Sequence, residues 1–288
     1  MKMVRARATP YFFISPFFLL FAIFFAFPLA YSLYLSLTTY DGMSAPQFVG
    51  VSNYTSVFND PRFWTALLNT FDYTVVYNAI MLSLALVVAA VLSSGRIRFA
   101  GLFRTAYFAP VTVSLVVTAL IFGLILGRSY GLVNNVLRTL GIAANYGWLD
   151  DPELALLSII LMRVWRATGY YAIFLIAGLQ AIPEDMYDAA KTDGARPLQI
   201  FWRITLPLLS PVLLFTTMMS TLWSIQLFDE PWILTKGGPL DSTLTVSVYL
   251  YQHAFQYLEL GYGSAIAYIL AGITIALSLI QMKLYLRG

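Results

Sequence analysis

Cysteine is absent from the 288 residues, and histidine occurs once, at His253. No disulfide frame, thiolate nucleophile or cysteine metal site is open to such a chain. A single histidine builds neither a histidine metal site nor a Ser-His-Asp triad. His253 follows an apolar stretch near an expected loop and reads as a bland residue. Charge is scarce too. Asp, Glu, Lys and Arg make up 11% of the chain, where soluble domains carry about 25%. No run of five or more basic residues occurs, which argues against nucleic acid as a partner. There is also no G-x-x-x-x-G-K-[ST] loop. Lys236-Gly237-Gly238-Pro239 is Gly-rich, but no helix opening with Lys-Ser/Thr follows it.

What is present is apolar. The chain is 59% hydrophobic, with a mean hydropathy of +0.75. Disorder needs the opposite balance. The natural solvent for this composition is a bilayer, and a lipid-crossing helix needs about 20 mostly apolar residues. Uncharged segments of that length lie between Arg7 and Asp41, Asp72 and Arg96, Arg104 and Arg128, Arg203 and Asp229, and Glu259 and Lys283. A further apolar stretch is interrupted only by Arg163 and Arg166. The expected helices are 11–37, 70–93, 104–127, 153–181, 206–229 and 263–285. The first has basic residues before it but no small-x-small cleavage site after it, so it is expected to be retained. Eleven of the seventeen Lys and Arg flank one side of these spans and four the other. The positive-inside rule then puts both termini in the cytoplasm. The expectation is an all-α integral membrane domain over 1–288 with six transmembrane helices, N-in and C-in.

The most informative segment is 182–207, IPEDMYDAAKTDGARPLQIFWRITLP. Pro183 suits the first position of a helix, with Glu184 and Asp185 in its first turn, where the dipole favours negative charge. Gly194 suits a left-handed C′ position, and Pro197 opens a second helix. Ala189 and Ala190 are small enough to admit a close-fitting partner. The local chemistry fits a plain cytoplasmic hairpin as well as a docking element.

The spacing of Asp188-Ala189-Ala190, Gly194, Ile204 and Leu206-Pro207 resembles the EAA motif of binding-protein-dependent ABC transporter permeases. Asp188 stands where the family's name implies Glu, one methylene shorter. Phe48-Val49-Gly50, Asn53-Tyr54, Asp60-Pro61-Arg62-Phe63-Trp64 and Gly237-Gly238-Pro239 are similar to the sugar-type, maltose-permease-like members, which include the glycerol-3-phosphate permease. The resemblance implies a type I ABC importer permease fold in a bacterial or archaeal inner membrane. The solute would be a sugar, oligosaccharide or glycerol phosphate. Implied partners are a second, homologous permease, two ATPase subunits and an external solute-binding protein. ATP-Mg would be bound by the ATPases only, so this chain would be a transport subunit without catalytic residues, cofactor or metal. Glu184, Met186, Tyr187, Asp188, Ala189, Ala190, Asp193 and Gly194 would carry the ATPase contact.

Ionisable residues inside a span usually face a cavity. Arg163, Arg166, Ala167 and Tyr170 share one helical face. Met219, Trp223 and Gln226 form a similar stripe on the fifth helix. Both helices flank the EAA-like loop, where related permeases line the solute path. Asn69, Tyr73, Tyr77 and Asn78 make a weaker polar stripe on the second. The arginines would face a wet cavity or pair with carboxylates of the second permease. Two other classes stand beside this reading. An ion-gradient carrier should show inverted repeats, broken helices and a membrane carboxylate, and no acidic residue is expected at mid-span here. A membrane enzyme is disfavoured by the lack of Cys and of paired buried carboxylates.

Overall fold

A computed structural model describes residues 2–93, 98–142 and 145–285, and their side chains except those of 2–10 and 100. Arg96 and Arg287 of the charge count lie outside the described residues. The chain forms two compact units. One is Met1–Pro61 with Leu250–Gly272; the other is Arg62–Tyr249 with Ile273–Gly288.

In the first unit, α1 (Lys2–Phe21) runs through a π turn (Ala22–Ala26) into α2 (Phe27–Ser36). Its rings at Phe12, Phe17, Phe24 and Phe25 are exposed, as suits a lipid-facing span. Two short strands follow, β1 (Thr38–Thr39) and β2 (Gln47–Phe48), paired antiparallel with Thr38 opposite Phe48. The fold is therefore mostly helical and not wholly so. Then come α3 (Ser52–Asn59) and, in the second unit, α4 (Pro61–Ser93), α5 (Ala100–Thr112), α6 (Leu115–Ile125), α7 (Leu132–Thr139) and α8 (Pro152–Gln180). Next are α9 (Glu184–Thr192), α10 (Pro197–Ile200), a π turn (Phe201–Thr205), α11 (Leu206–Ile225) and α12 (Asp229–Leu234). The chain closes with α13 (Val246–Tyr251), a π turn (Gln252–Gln256) and α14 (Leu260–Tyr285).

Among the described residues five helices are long and apolar enough to cross a membrane, and a sixth span arises if α5 and α6 count as one. The expected straight helix over 104–127 is instead bent by 95° between Thr112 and Leu115. Pro110 in the last turn of α5 has no N–H to give and ends its hydrogen-bond ladder. Ser114 then takes an extended conformation and becomes the N-cap of α6. The second span starts at Pro61, nine residues before the expected 70, because Pro61 is itself a good first residue. The fifth ends at Ile225 and not at 229, since the acidic pair Asp229 and Glu230 opens a new helix.

The core of the second unit lies among α4, α8 and α11. Tyr73, Tyr77, Met81, Ile159, Leu175 and Leu209 are fully buried there, and α8 is the most enclosed span. Gly169 lets α8 touch α5 directly. A Cβ built at that position would lie 1.8 Å from the Tyr107 carbonyl oxygen.

Candidate functional site

The segment after α8 folds as a capped hairpin. Pro183 is the N-cap of α9 and not its first residue. Glu184 and Asp185 occupy the first turn, and Lys191 the last. Gly194 adopts φ +75°, as its position after the helix requires. The Gly194 N–H donates to Lys191 O at 3.0 Å and the Ala195 N–H to Ala190 O at 2.9 Å. Together they make a Schellman close. At α10 the Gln199 side chain accepts from the Arg196 N–H at 2.8 Å, with Pro197 in the first turn.

Of the expected ATPase-contact residues, Glu184, Met186, Asp188, Ala189, Asp193 and Gly194 are exposed. Ala190 is buried and Tyr187 is half-buried, accepting a hydrogen bond from Thr205 at 3.3 Å. Ala190 is thus a packing residue and not a surface one; α9 is amphipathic and turns that face inward. Asp188 and Lys191 pair at 2.8 Å but both are largely exposed, so the pair adds little stability. A cavity of about 870 Å³ lies between the inner face of α9 and the C-terminal ends of α4 and α8.

The arginines of α8 have partners within the chain. Arg163 Nη1 donates to Glu230 Oε1 at 2.5 Å, with side-chain exposures of 14% and 1%. Arg166 Nη2 donates to the carbonyls of Val111 at 3.2 Å and Val113 at 3.1 Å. Those carbonyls belong to the break between α5 and α6, whose helical partners are missing. Arg166 therefore supplies donors that the bent backbone lost, as lipid depth requires.

The other stripes divide. Ala167 is buried, and Tyr170 is half-buried against Tyr171 and Phe174. Met219 packs on the core, while Trp223 and Gln226 are exposed, and Gln226 is the C-cap of α11. Tyr73 and Tyr77 are stacked in the core, 5.5 Å apart. Asn78 contacts Ser220 and Ser224 of α11. Asn69 donates to Asp241 O at 2.7 Å and Leu244 O at 3.0 Å. It anchors the loop after α12. Arg62 grips the same loop through Asp241 at 2.8 Å. That contact lowers the Asp241 pKa, first through the hydrogen bond from Arg62.

Sequence reasoning missed Glu230. It sat one residue beyond the expected end of the fifth span, beside Pro231 and Trp232. An acidic residue so close to an apolar run, in a chain with two arginines inside another expected span, was the available signal. His253 was also undervalued: its Nδ1 lies 2.6 Å from Glu259 Oε2, and its ring meets Tyr262 with centroids 4.7 Å apart.

Residues 79–287 match the family described as "Binding-protein-dependent transport system inner membrane component". The chain belongs to that family. It is a multi-pass membrane permease, as its several apolar helices fit. The lactose transport system permease protein LacF of Rhizobium radiobacter is 42% identical over 85% of this chain and 83% of its own length. The arabinooligosaccharides permease AraP of Bacillus subtilis is 36% identical, covering 82% and 76%. The trehalose/maltose permease MalF of Thermococcus litoralis is 34% identical, covering 82% and 79%. In fold the chain matches a bacterial ABC transporter involved in alginate import. The TM-score is 0.85 at 21% identity, covering 99% of this chain and 98% of that one.

Proposed function

We propose that this chain is one permease subunit of an ATP-driven importer for a carbohydrate. In this reading residues 1–288 form a single transmembrane domain with six spans, and 182–207 is its coupling segment. Both termini lie in the cytoplasm, and the external face receives a solute-binding protein. A second, homologous permease completes the path, and two ATPase subunits supply the energy. Relatives for lactose, arabinooligosaccharides and trehalose or maltose support the carbohydrate class. The observation that carries the coupling role is the geometry of α9: a short helix with acidic residues exposed, rigidly closed at Gly194.

Coupling is a two-state argument. ATP-driven closure of the ATPases acts only through contacts that differ between states. A helix closed at its C-terminal end and packed through Ala190 moves as a body. Along the path, Tyr170 and the exposed Trp223 and Gln226 offer ring faces and an amide to sugar hydroxyls. Arg163, paired with Glu230, and Arg166, held by backbone carbonyls, shape the path, and Arg166 keeps its positive charge there.

The test is purification of the chain from its native membrane in mild detergent. Co-elution of an ATPase and vanadate-sensitive hydrolysis raised by sugar-loaded binding protein support the reading. A chain that elutes alone and accumulates sugar on an imposed ion gradient overturns it.

A further inference from the structure

The first unit contains a cavity of about 530 Å³ that belongs to neither α8 nor the coupling hairpin. Its walls come from the β1–β2 hairpin loop, from Asn53 of α3 and from the turn between α13 and α14. The walls are fixed from within. Asn53 Nδ2 donates to Ser36 O at 2.9 Å and Thr38 O at 2.8 Å, locking the hairpin to its helix. Asp41 Oδ1 accepts from the Ser44 N–H at 2.8 Å and the Met43 N–H at 3.0 Å, closing the loop. The Gly261 N–H donates to Tyr40 O at 3.2 Å, and the Glu259 N–H to His253 O at 2.9 Å. A cavity held by this many backbone contacts is preformed.

Its chemistry is one-sided. Tyr40 and Tyr262 supply aromatic faces, His253 a third ring, and Asp41, Glu259 and Gln47 supply acceptors. Backbone donors from Ser44 and Met43 hold the Asp41 carboxyl down to about 2, so it is ionised at any physiological pH. Among the described residues the lining has no lysine or arginine. No group of three metal-ligating side chains is found among the described residues either. Asp41 and Glu259, the latter paired through Oε2 with His253, keep the lining negative, which disfavours anions. The volume falls in the range of small-molecule sites, about 300–1,000 Å³, and exceeds what one partner side chain fills. Ring faces that take C–H surfaces, beside carboxylates and an amide that accept from hydroxyls, are complementary to a neutral sugar of one or two rings.

We propose that this cavity is a second saccharide site on the permease itself, selective for neutral over anionic sugars. It rests on the reading of the chain as a carbohydrate importer subunit, which puts the hairpin on the external side.

The test uses the purified transporter complex in lipid nanodiscs, without the external binding protein. Lactose, maltose, trehalose and arabinobiose are the neutral probes, and galacturonate the anionic one. Hydrogen–deuterium exchange should show protection at 39–47 and 253–262 with at least one neutral disaccharide and none with galacturonate. Saturation-transfer NMR should give a signal that Glu259→Gln weakens about tenfold, the scale of one lost charge-assisted contact, and that Tyr40→Ala weakens by removing a ring face. Protection confined to α8 and α11, or equal protection by galacturonate, overturns the proposal. So does an unchanged NMR signal in both variants accompanied by weaker capture of the binding protein, which makes the cavity a protein socket. The exchange measurement on the unaltered complex stands even if a variant fails to assemble. Failure of the importer reading looks different: in sealed vesicles with the binding protein restored, no ATP-driven sugar uptake occurs. With only the cavity assignment wrong, uptake proceeds and protection at 39–47 is missing.

Discussion

Arg163 and Glu230 are the pair on which single substitutions act most strongly. Glu230 is 1% exposed, so Glu230→Ala leaves a buried guanidinium without its counter-charge. Breaking one side of a buried pair costs about 3–5 kcal/mol, whereas replacing both sides by apolar residues is often near neutral. Glu230→Ala should lower the thermal midpoint and yield of the complex, and Arg163→Met with Glu230→Met should recover most of both. A single variant as stable as the parent chain would remove the pair from the stability account. Gly194 acts differently. A Cβ there meets nothing within 4 Å, but φ is +75°. A side chain in that region costs about 1–2 kcal/mol, which the fold tolerates. Gly194→Trp should assemble, with transport and sugar-stimulated ATP hydrolysis both lost. Normal transport by assembled Gly194→Trp would place the ATPase contact elsewhere.

At the scale of elements, the break between α5 and α6 depends on α8. Arg166→Ala removes the donors to Val111 and Val113, and two carbonyls lose their partners at membrane depth. Amide exchange over 110–118 should quicken and transport should fall while complex yield holds. Unchanged exchange would show that the bent backbone satisfies itself. The loop after α12 responds to pH. The Asp241 pKa is lowered by Arg62, so its folded value lies below the unfolded one. Its stabilising contact is complete above about pH 4, the ordinary Asp value, and is lost as pH falls through the lowered folded value. Exchange at 240–246 should therefore rise only in acid, and Asp241→Asn should abolish that pH step. The elements differ in how far the sequence showed them. The caps of α9 and α10 were legible because Gly194, Pro197 and the acidic first turn are local signals. The break at 113–114 was not, because hydropathy counts apolar residues and is blind to direction. Pro110 was a hint, but what stabilises the bend is Arg166, more than fifty residues away. The contacts of Asn69, Tyr73 and Tyr77 were hidden for the same reason. A polar stripe on a helix looks alike whether it faces a path, a loop or a neighbouring helix.

For the whole molecule, orientation decides what every surface means. The charge count places eleven Lys and Arg on one side and four on the other, and short loops obey this bias because translocating a cation is costly. In the proposed reading the coupling hairpin meets a cytosolic ATPase and the hairpin cavity faces incoming sugar. The first demand is independent of the charge bias and requires the same orientation, while the second takes its side from that orientation. That orientation also places Asp241 and its anchor to Arg62 outside, where that loop meets the acid exposure just described. A phosphatase and β-galactosidase reporter pair fused after Lys191 should give a cytoplasmic signal, and the same pair fused after Asp241 an external one. Fusion after Asp241 follows α12, so the span before it is already complete and the reporter reads a settled topology. The reversed pattern would put α9 out of reach of ATP-driven machinery and turn the Tyr40–Tyr262 cavity toward the cytoplasm. It would sink the coupling assignment and the external saccharide site in one measurement, while leaving family membership and the helical core untouched.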